Sequence, residues 1–314
     1  MLKLNELFKG KKFDKKVRFN QIVDEWLEGK KLLVKESTYC KYKYSINQYI
    51  MPTFDNMKLK QLQKYNFNNF ITELMVELSS KTVRDIVCIL KSLLYYANDE
   101  YKCNISIGKI TIPKLVKNKI NILTKREIKK LEKYCIAEDD PKSIGIVISL
   151  NTGLRIGEIC ALKWKNINLE KKQLYVKNIL QRVYDKSQNK SKIIIDSPKT
   201  ENSERVIPIS NKLYEILKNC KKNYKDEDFF LTGDSEKYIE PRNYLKHFKT
   251  VLEKCRIKSY RFHILRHTFA TNCVEVGMDV KNLSEMLGHS SVEITLNKYV
   301  HSNYNVQKKY LEKL

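Results

Sequence analysis

The chain has 314 residues, with 60 Lys+Arg against 36 Asp+Glu, a formal net charge of +24. That length fits about two domains, each able to bury a core. Hydrophobic residues at 42% and charged residues at 31% exclude an extended disordered chain. No stretch approaches the roughly 18 consecutive apolar residues of a membrane span. The first residues, MLKLNELFKGKKFDKK, lack an apolar core and a small-residue cleavage site. A soluble, cytoplasmic, strongly basic protein is expected.

The eight cysteines are scattered singly with no Cys-x-x-Cys pair, so neither a disulfide framework nor a zinc site is expected. Of the 60 basic residues, 50 are Lys and only 10 Arg. A Lys, Asn, Ile and Tyr bias of this kind follows from AT-rich codons, so part of the lysine is solvated surface. The surplus still favours a polyanionic partner through counterion release. It is spread over both halves, +10 in residues 1–117 and +14 in 118–314, as suits two domains gripping nucleic acid.

In chain order, residues 1–17 read as an extension and 18–101 as a helical bundle. Phe19 to Leu27 and Thr38 to Ile50 give two helical segments, the second ending at Pro52. Phe67, Phe70, Ile71, Leu74 and Leu78 make a third stripe. Val83, Ile86, Val87, Leu90, Leu94 and Ala97 make a fourth. Aromatic and Lys residues interleave from Tyr39 to Tyr44. The candidate phosphate contacts here are Lys41, Lys43, Lys81 and Arg84. Residues 102–122, with a Gly, a Pro, several Lys and no helical period, read as the interdomain linker. Thr124 and Glu127 then form a capping box ahead of a new helix.

The remainder, 123–299, is mixed. An apolar helix over Ile144 to Leu150 stops at Asn151-Thr152-Gly153, where Gly153 suits a left-handed cap. A short helix, Arg155 to Leu162, follows. Strands are expected at Gln173–Val176, around Ile193–Ile195 and at Arg205–Ile209. Helices resume at Asn211–Asn223 and Pro241–Cys255. Residues 300–314 read as a tail, amphipathic enough for one short helix and a possible protomer–protomer contact.

Against so many lysines, an arginine in a defined context carries meaning, because only its planar fork makes two parallel bonds to one phosphate. Arg155 lies just after a helix cap with Glu158 beside it. Arg266 lies three residues after His263 and so on the same helical face. In order come Arg155 with Glu158, Lys199 in SPKTENSERVIPI, His263-x-x-Arg266, His289 in LGHSS, and Tyr299 in LNKYVH. These boxes resemble the tyrosine recombinase, or phage integrase-like and Xer-like, family across nearly the whole chain.

The resemblance implies a mainly helical α+β protein: a SAM-like core-binding bundle followed by a mixed α/β catalytic domain. It implies Tyr299 as nucleophile, forming a 3′-phosphotyrosine and a free 5′-hydroxyl. Arg155, Arg266 and His289 would hold the non-bridging oxygens, and Lys199, in a hairpin between Ile195 and Val206, would protonate the leaving 5′-oxygen. Lys190 and Lys192 are the alternatives on that hairpin. His263 would take or relay the tyrosine proton, and Glu158 would orient Arg155 or a histidine. His267 is expected to be a structural neighbour of Arg266, and His301 to have no catalytic role. Without a carboxylate cluster suited to Mg²⁺, no metal or other cofactor is expected. The implied partner is double-stranded DNA with inverted half-sites, bound by a homodimer and synapsed as a homotetramer at the nucleoid, with strands exchanged through a four-way junction. With the core-binding helices beginning near Arg18, no arm-binding domain is expected. A type IB topoisomerase-like activity and a binding-only regulator are the rival readings.

Overall fold

A computed structural model describes residues 17–114, 121–185, 190–196, 204–221, 224–299 and Glu312. The chain divides into two compact units, one of residues 1–118 with 183–192 and one of residues 119–182 with 193–314, so the ends of strands β3 and β4 described below group with the first.

The first unit is helical. α1 (Phe19–Leu33) buries Phe19, Ile22, Val23, Trp26 and Leu27, one face of a 3.6-residue repeat. α2 (Glu36–Ser45) runs through a π-turn, Ile46–Ile50, into α3 (Met51–Phe54). Pro52 therefore does not end the helix as expected. Lacking an N–H, it sits in the first turn of α3, where no donor is missed, and the widened turn before it accommodates the ring. α4 (Leu59–Leu62) is short, and α5 (Phe67–Glu77) starts where Asn66 accepts from Asn68 N. α6 (Ser80–Tyr101) is capped by Ser79 and buries the whole expected stripe from Val83 to Ala97.

The stretch expected as linker is part of this unit over 102–114. Cys103, Ile105, Ile107 and Ile110 are buried in its core. Asn98 bonds both Ile105 N (2.8 Å) and Ile105 O (3.0 Å), and Asn68 bonds Lys109 O and Thr111 N. Two helix-borne amides thus satisfy a backbone that has no ladder of its own. Residues 115–120 lie outside the described residues.

In the second unit, α7 (Lys125–Glu138) opens with the expected capping box, Glu127 N to Thr124 Oγ1 at 3.2 Å and Thr124 N to Glu127 Oε2 at 2.7 Å. α8 (Pro141–Thr152) is buried on all sides from Ser143 to Leu150, which is why its sequence is almost uniformly apolar. After α9 (Ile156–Cys160), β1 (Ile167–Asn168) and β2 (Gln173–Val176) come β3 (Ile179–Asp185), β4 (Lys190–Asp196) and β5 (Arg205–Pro208).

One sheet runs β1-β2-β5, antiparallel, with Leu174 opposite Ile207; β3 and β4 form a separate two-stranded ladder. This corrects the expected hairpin between Ile195 and Val206. β4 pairs backward with β3, while β5 pairs with β2 because Ile207 must turn inward beside Leu174, both fully buried. β3, with Gln, Arg and Asp among its apolar residues, is a strand that the sequence pattern does not announce. The remaining helices are α10 (Asn211–Lys221), α11 (Pro241–Lys254), α12 (His263–Glu275), α13 (Val280–Leu287) and α14 (Val292–Tyr299). No described helix is long and apolar enough to cross a membrane. Six of the eight cysteines are buried, and Cys88 is exposed.

Candidate active site

Helix ends build the site: the C-terminus of α8, the N-terminus of α9, the first turns of α12, and the C-termini of α13 and α14. At the end of α8, Gly153 adopts φ +69°. A Cβ there would lie 2.7 Å from Phe269 and 2.8 Å from Leu287, so both the backbone and the space demand glycine. Its carbonyl accepts from Arg266 Nη1 at 2.9 Å.

Arg155 is the first of three arginines here. Its backbone N donates to Glu158 Oε2 (2.9 Å) and its Nη1 to Glu158 Oε1 (2.7 Å). Arg205 donates to the same two oxygens, Nη1 to Oε1 at 3.1 Å and Nη2 to Oε2 at 2.9 Å. Glu158 is buried, which by itself raises its pKa. Arg205, then Arg155, reverse this and hold it down at about 2. It is a carboxylate at every physiological pH.

The end of α13 takes one arginine on each of three successive carbonyls. Arg205 Nε donates to Met286 O (2.6 Å), Arg266 Nη2 to Leu287 O (2.6 Å) and Arg155 Nη2 to Gly288 O (3.0 Å). These are orphan carbonyls of a helix end, where the dipole favours cations. Arg266 is 1% exposed, and its Nε, also buried, has no hydrogen-bond partner among the described residues. Burial, then the charge of Arg155, lower it to about 9, so it remains a cation near neutrality. Arg155 is the exposed one, with 31% of its side chain open.

His289 follows directly, its Nδ1 2.7 Å from Thr295 Oγ1, which leaves Nε2 for a ligand. Tyr299 ends α14 with its ring packed among Phe269, Ala270, Leu283 and Leu287. Its hydroxyl lies 2.8 Å from His267 Nδ1. Burial raises the phenol's pKa, and Arg266 and Arg155 oppose that rise. Burial and the neighbouring cations lower His267 to about 4 and His289 to about 3, so both imidazoles are neutral at pH 7.

The structure thus gathers Arg155, Glu158, Arg266, His289 and Tyr299 in one cluster. His263 lies beside it, exposed on α12, with its ring 4.4 Å from that of His267. The histidine within hydrogen-bond distance of the phenol is His267, expected only as a structural neighbour of Arg266, while His263 packs edge-on against it one turn earlier. On a helix, residue 267 lies one turn beyond 263, and the turn from 263 to 267 carries the imidazole to the end of α14. Lys199 falls outside the described residues, as does the tail after Tyr299 apart from Glu312; Lys190 and Lys192 lie on β4. The sequence marks Arg205 only as the start of a strand. The scarcity of arginine that singled out Arg155 and Arg266 applies equally to it.

In the helical unit, Lys41 lies 3.2 Å and Lys81 3.8 Å from Asp85, so two candidate phosphate contacts share one carboxylate. Arg84 donates to Pro113 O at 3.4 Å. Lys43 is half-buried.

Known proteins match both units. The phage integrase family matches residues 121–306, and the phage integrase N-terminal SAM-like domain matches 18–75. A XerC-like tyrosine recombinase of Caldanaerobacter subterraneus is 30% identical over 312 residues, covering 91% of this chain and 79% of that one. The ICEBs1 integrase of Bacillus subtilis is 26% identical, covering 95% of this chain and 83% of that one. Among solved structures, the Tn1549 transposon integrase in complex with a circular intermediate DNA superposes with a TM-score of 0.75 at 22% identity, covering 95% and 99%. A lambda integrase dimer bound to a core site superposes at 0.66, with 15% identity over 95% of this chain and 79% of that one.

Proposed function

The chain belongs to the phage integrase family of site-specific tyrosine recombinases, enzymes acting on DNA, and we propose that it breaks and rejoins DNA through Tyr299. The phenolic oxygen attacks a backbone phosphorus, the bond to the 5′-oxygen breaks, and a 3′-phosphotyrosine and a 5′-hydroxyl result. The reverse attack by a 5′-hydroxyl of a partner strand restores the phosphodiester and frees the phenol. Ester replaces ester at similar energy, so strand exchange consumes no ATP.

The observation that carries this reading is the 2.8 Å approach of the Tyr299 hydroxyl to a neutral imidazole, His267, beside two arginines. A phenol with an ordinary pKa near 10 needs a proton acceptor to become a nucleophile near neutrality. His267 supplies one, and His263 against it offers the proton an exit to solvent. Charge building on the non-bridging oxygens meets Arg155 and Arg266, held in advance by carbonyls and a carboxylate, with His289 Nε2 as a further donor. Preorganisation of this kind acts on the transition state because the cations need not move. Lys199 remains the proposed acid for the 5′-oxygen.

In this reading protomers bind inverted half-sites as dimers, and two dimers synapse and exchange strands through a four-way junction. The helical unit grips the backbone with Lys41, Lys43, Lys81 and Arg84. On a duplex nicked just beyond the scissile phosphate, the unaltered chain traps itself covalently, while Tyr299→Phe binds and traps nothing. Trapping by Tyr299→Phe would refute the assignment.

A further inference from the structure

Each of the three clustered arginines is held: Arg155 keeps part of its side chain open, and Arg266 keeps an unengaged Nε among the described residues. Arg205 is the third. Its side chain is 5% exposed, and all three of its guanidinium nitrogens are engaged. Nη1 and Nη2 donate to the two Glu158 oxygens, and Nε donates to Met286 O. No face of it is left for a phosphate.

We infer that Arg205 is a positioning residue for DNA cleavage: it joins Glu158 to the end of α13 and thereby fixes the aim of Arg155. The inference rests on the functional reading above.

The argument is geometric. Arg155 Nη1 is held by Glu158 and its Nη2 by Gly288 O, so its direction is set by two supports on different elements. Arg205 is the side chain that touches both supports, Glu158 directly and the α13 end two residues before Gly288. It comes from β5, where it opens the strand opposite Val176 of β2, so its base is fixed by a sheet. Glu158 accepts four hydrogen bonds, two from each arginine, which fills both carboxylate oxygens. Without Arg205, two of those sites would be empty in a buried place. A lysine reaches one acceptor at a time and does not span two elements with a rigid fork. The chain holds 50 Lys and 10 Arg, and this buried position carries arginine.

Electrostatics point the same way. Burial raises Glu158, and Arg205 is the foremost group opposing it. The charged groups facing Glu158 are Arg155 at the head of its own helix, Arg205 from β5 and Arg266 from α12. Removing Arg205 leaves the carboxylate weaker support and moves its titration upward.

The test uses the full chain, a nicked duplex substrate and the rate of covalent adduct formation across pH, alongside duplex affinity. Arg205→Lys is expected to slow cleavage about 10-fold and Arg205→Met about 100-fold, with duplex affinity held within about twofold. The acid limb of the Arg205→Met profile is expected at higher pH than in the unaltered chain. Adduct formation at the unaltered rate in both variants overturns the inference. So does a loss of affinity and cleavage in equal proportion with no movement of the acid limb, because that marks a purely structural residue. Should Arg205→Met fail to fold, Arg205→Lys decides: full activity in it shows that the fork geometry is not needed. If the unaltered chain forms no adduct, the functional reading itself falls, and this inference with it.

Discussion

Tyr299 Oη and His267 Nδ1 stand 2.8 Å apart, from the end of α14 to the second turn of α12. In the proposed mechanism a buried phenol and a neutral imidazole so placed are the proton-transfer pair.

Loss of that imidazole is therefore expected to cost more than loss of its exposed neighbour. His267→Ala should lower the cleavage rate by about 10²–10⁴-fold, and His263→Ala by less. Replacing the scissile 5′-oxygen by sulfur, whose departure needs no acid, separates the two ends of the reaction. The His267→Ala defect should persist on that substrate; full rescue would move His267 to the leaving-group side.

Gly153 meets two demands at once, a positive φ and the close approach of Phe269 and Leu287. Gly153→Ala should destabilise the second unit by about 2–4 kcal/mol, from backbone strain and crowding together. Urea unfolding measures this. Because the Gly153 carbonyl holds Arg266, cleavage should fall further than the lost folded fraction accounts for.

Acid should weaken the DNA-free chain in two stages. His267 and His289 titrate at about 4 and 3 when folded but near 6.5 when unfolded. Between those values the unfolded chain binds more protons, so stability falls as pH drops below about 6.5. Glu158, at about 2 folded against 4.5, adds stability that is lost as pH falls from 4.5 towards 2. Melting temperature against pH follows both stages, and a His267→Gln, His289→Gln variant should show a shallower first one.

Asp85 sits against Lys41 and Lys81, the proposed phosphate contacts, and in that reading would compete with DNA for both. Asp85→Asn should tighten duplex binding. Lys41→Gln and Lys81→Gln should each reduce the slope of log affinity against log salt by about 0.9. Unchanged slopes in both would remove these lysines from the interface.

What could be read in the sequence depended on locality. The α6 stripe, the Thr124–Glu127 cap and the Gly153 turn are written in residues a few positions apart, and all three form as expected. The boxes around Arg155, Arg266, His289 and Tyr299 were legible because each residue type has few chemical substitutes. Long-range placement was not. Nothing near Arg205 says that its strand pairs with β2, or that its side chain ends on Glu158, 47 residues away. In one dimension His267 is merely the residue after Arg266. Only the packing of α14 against α12 brings it to the phenol. The 102–114 stretch looked like linker since its order comes from Asn98 and Asn68, not from a repeat of its own.

Three cations hang from one short run of backbone, 286 to 288. A shift of that turn would detune all of them together, so damage there should silence the enzyme in a single step. Variants with graded activity belong elsewhere, on the open rim where Arg155 meets solvent.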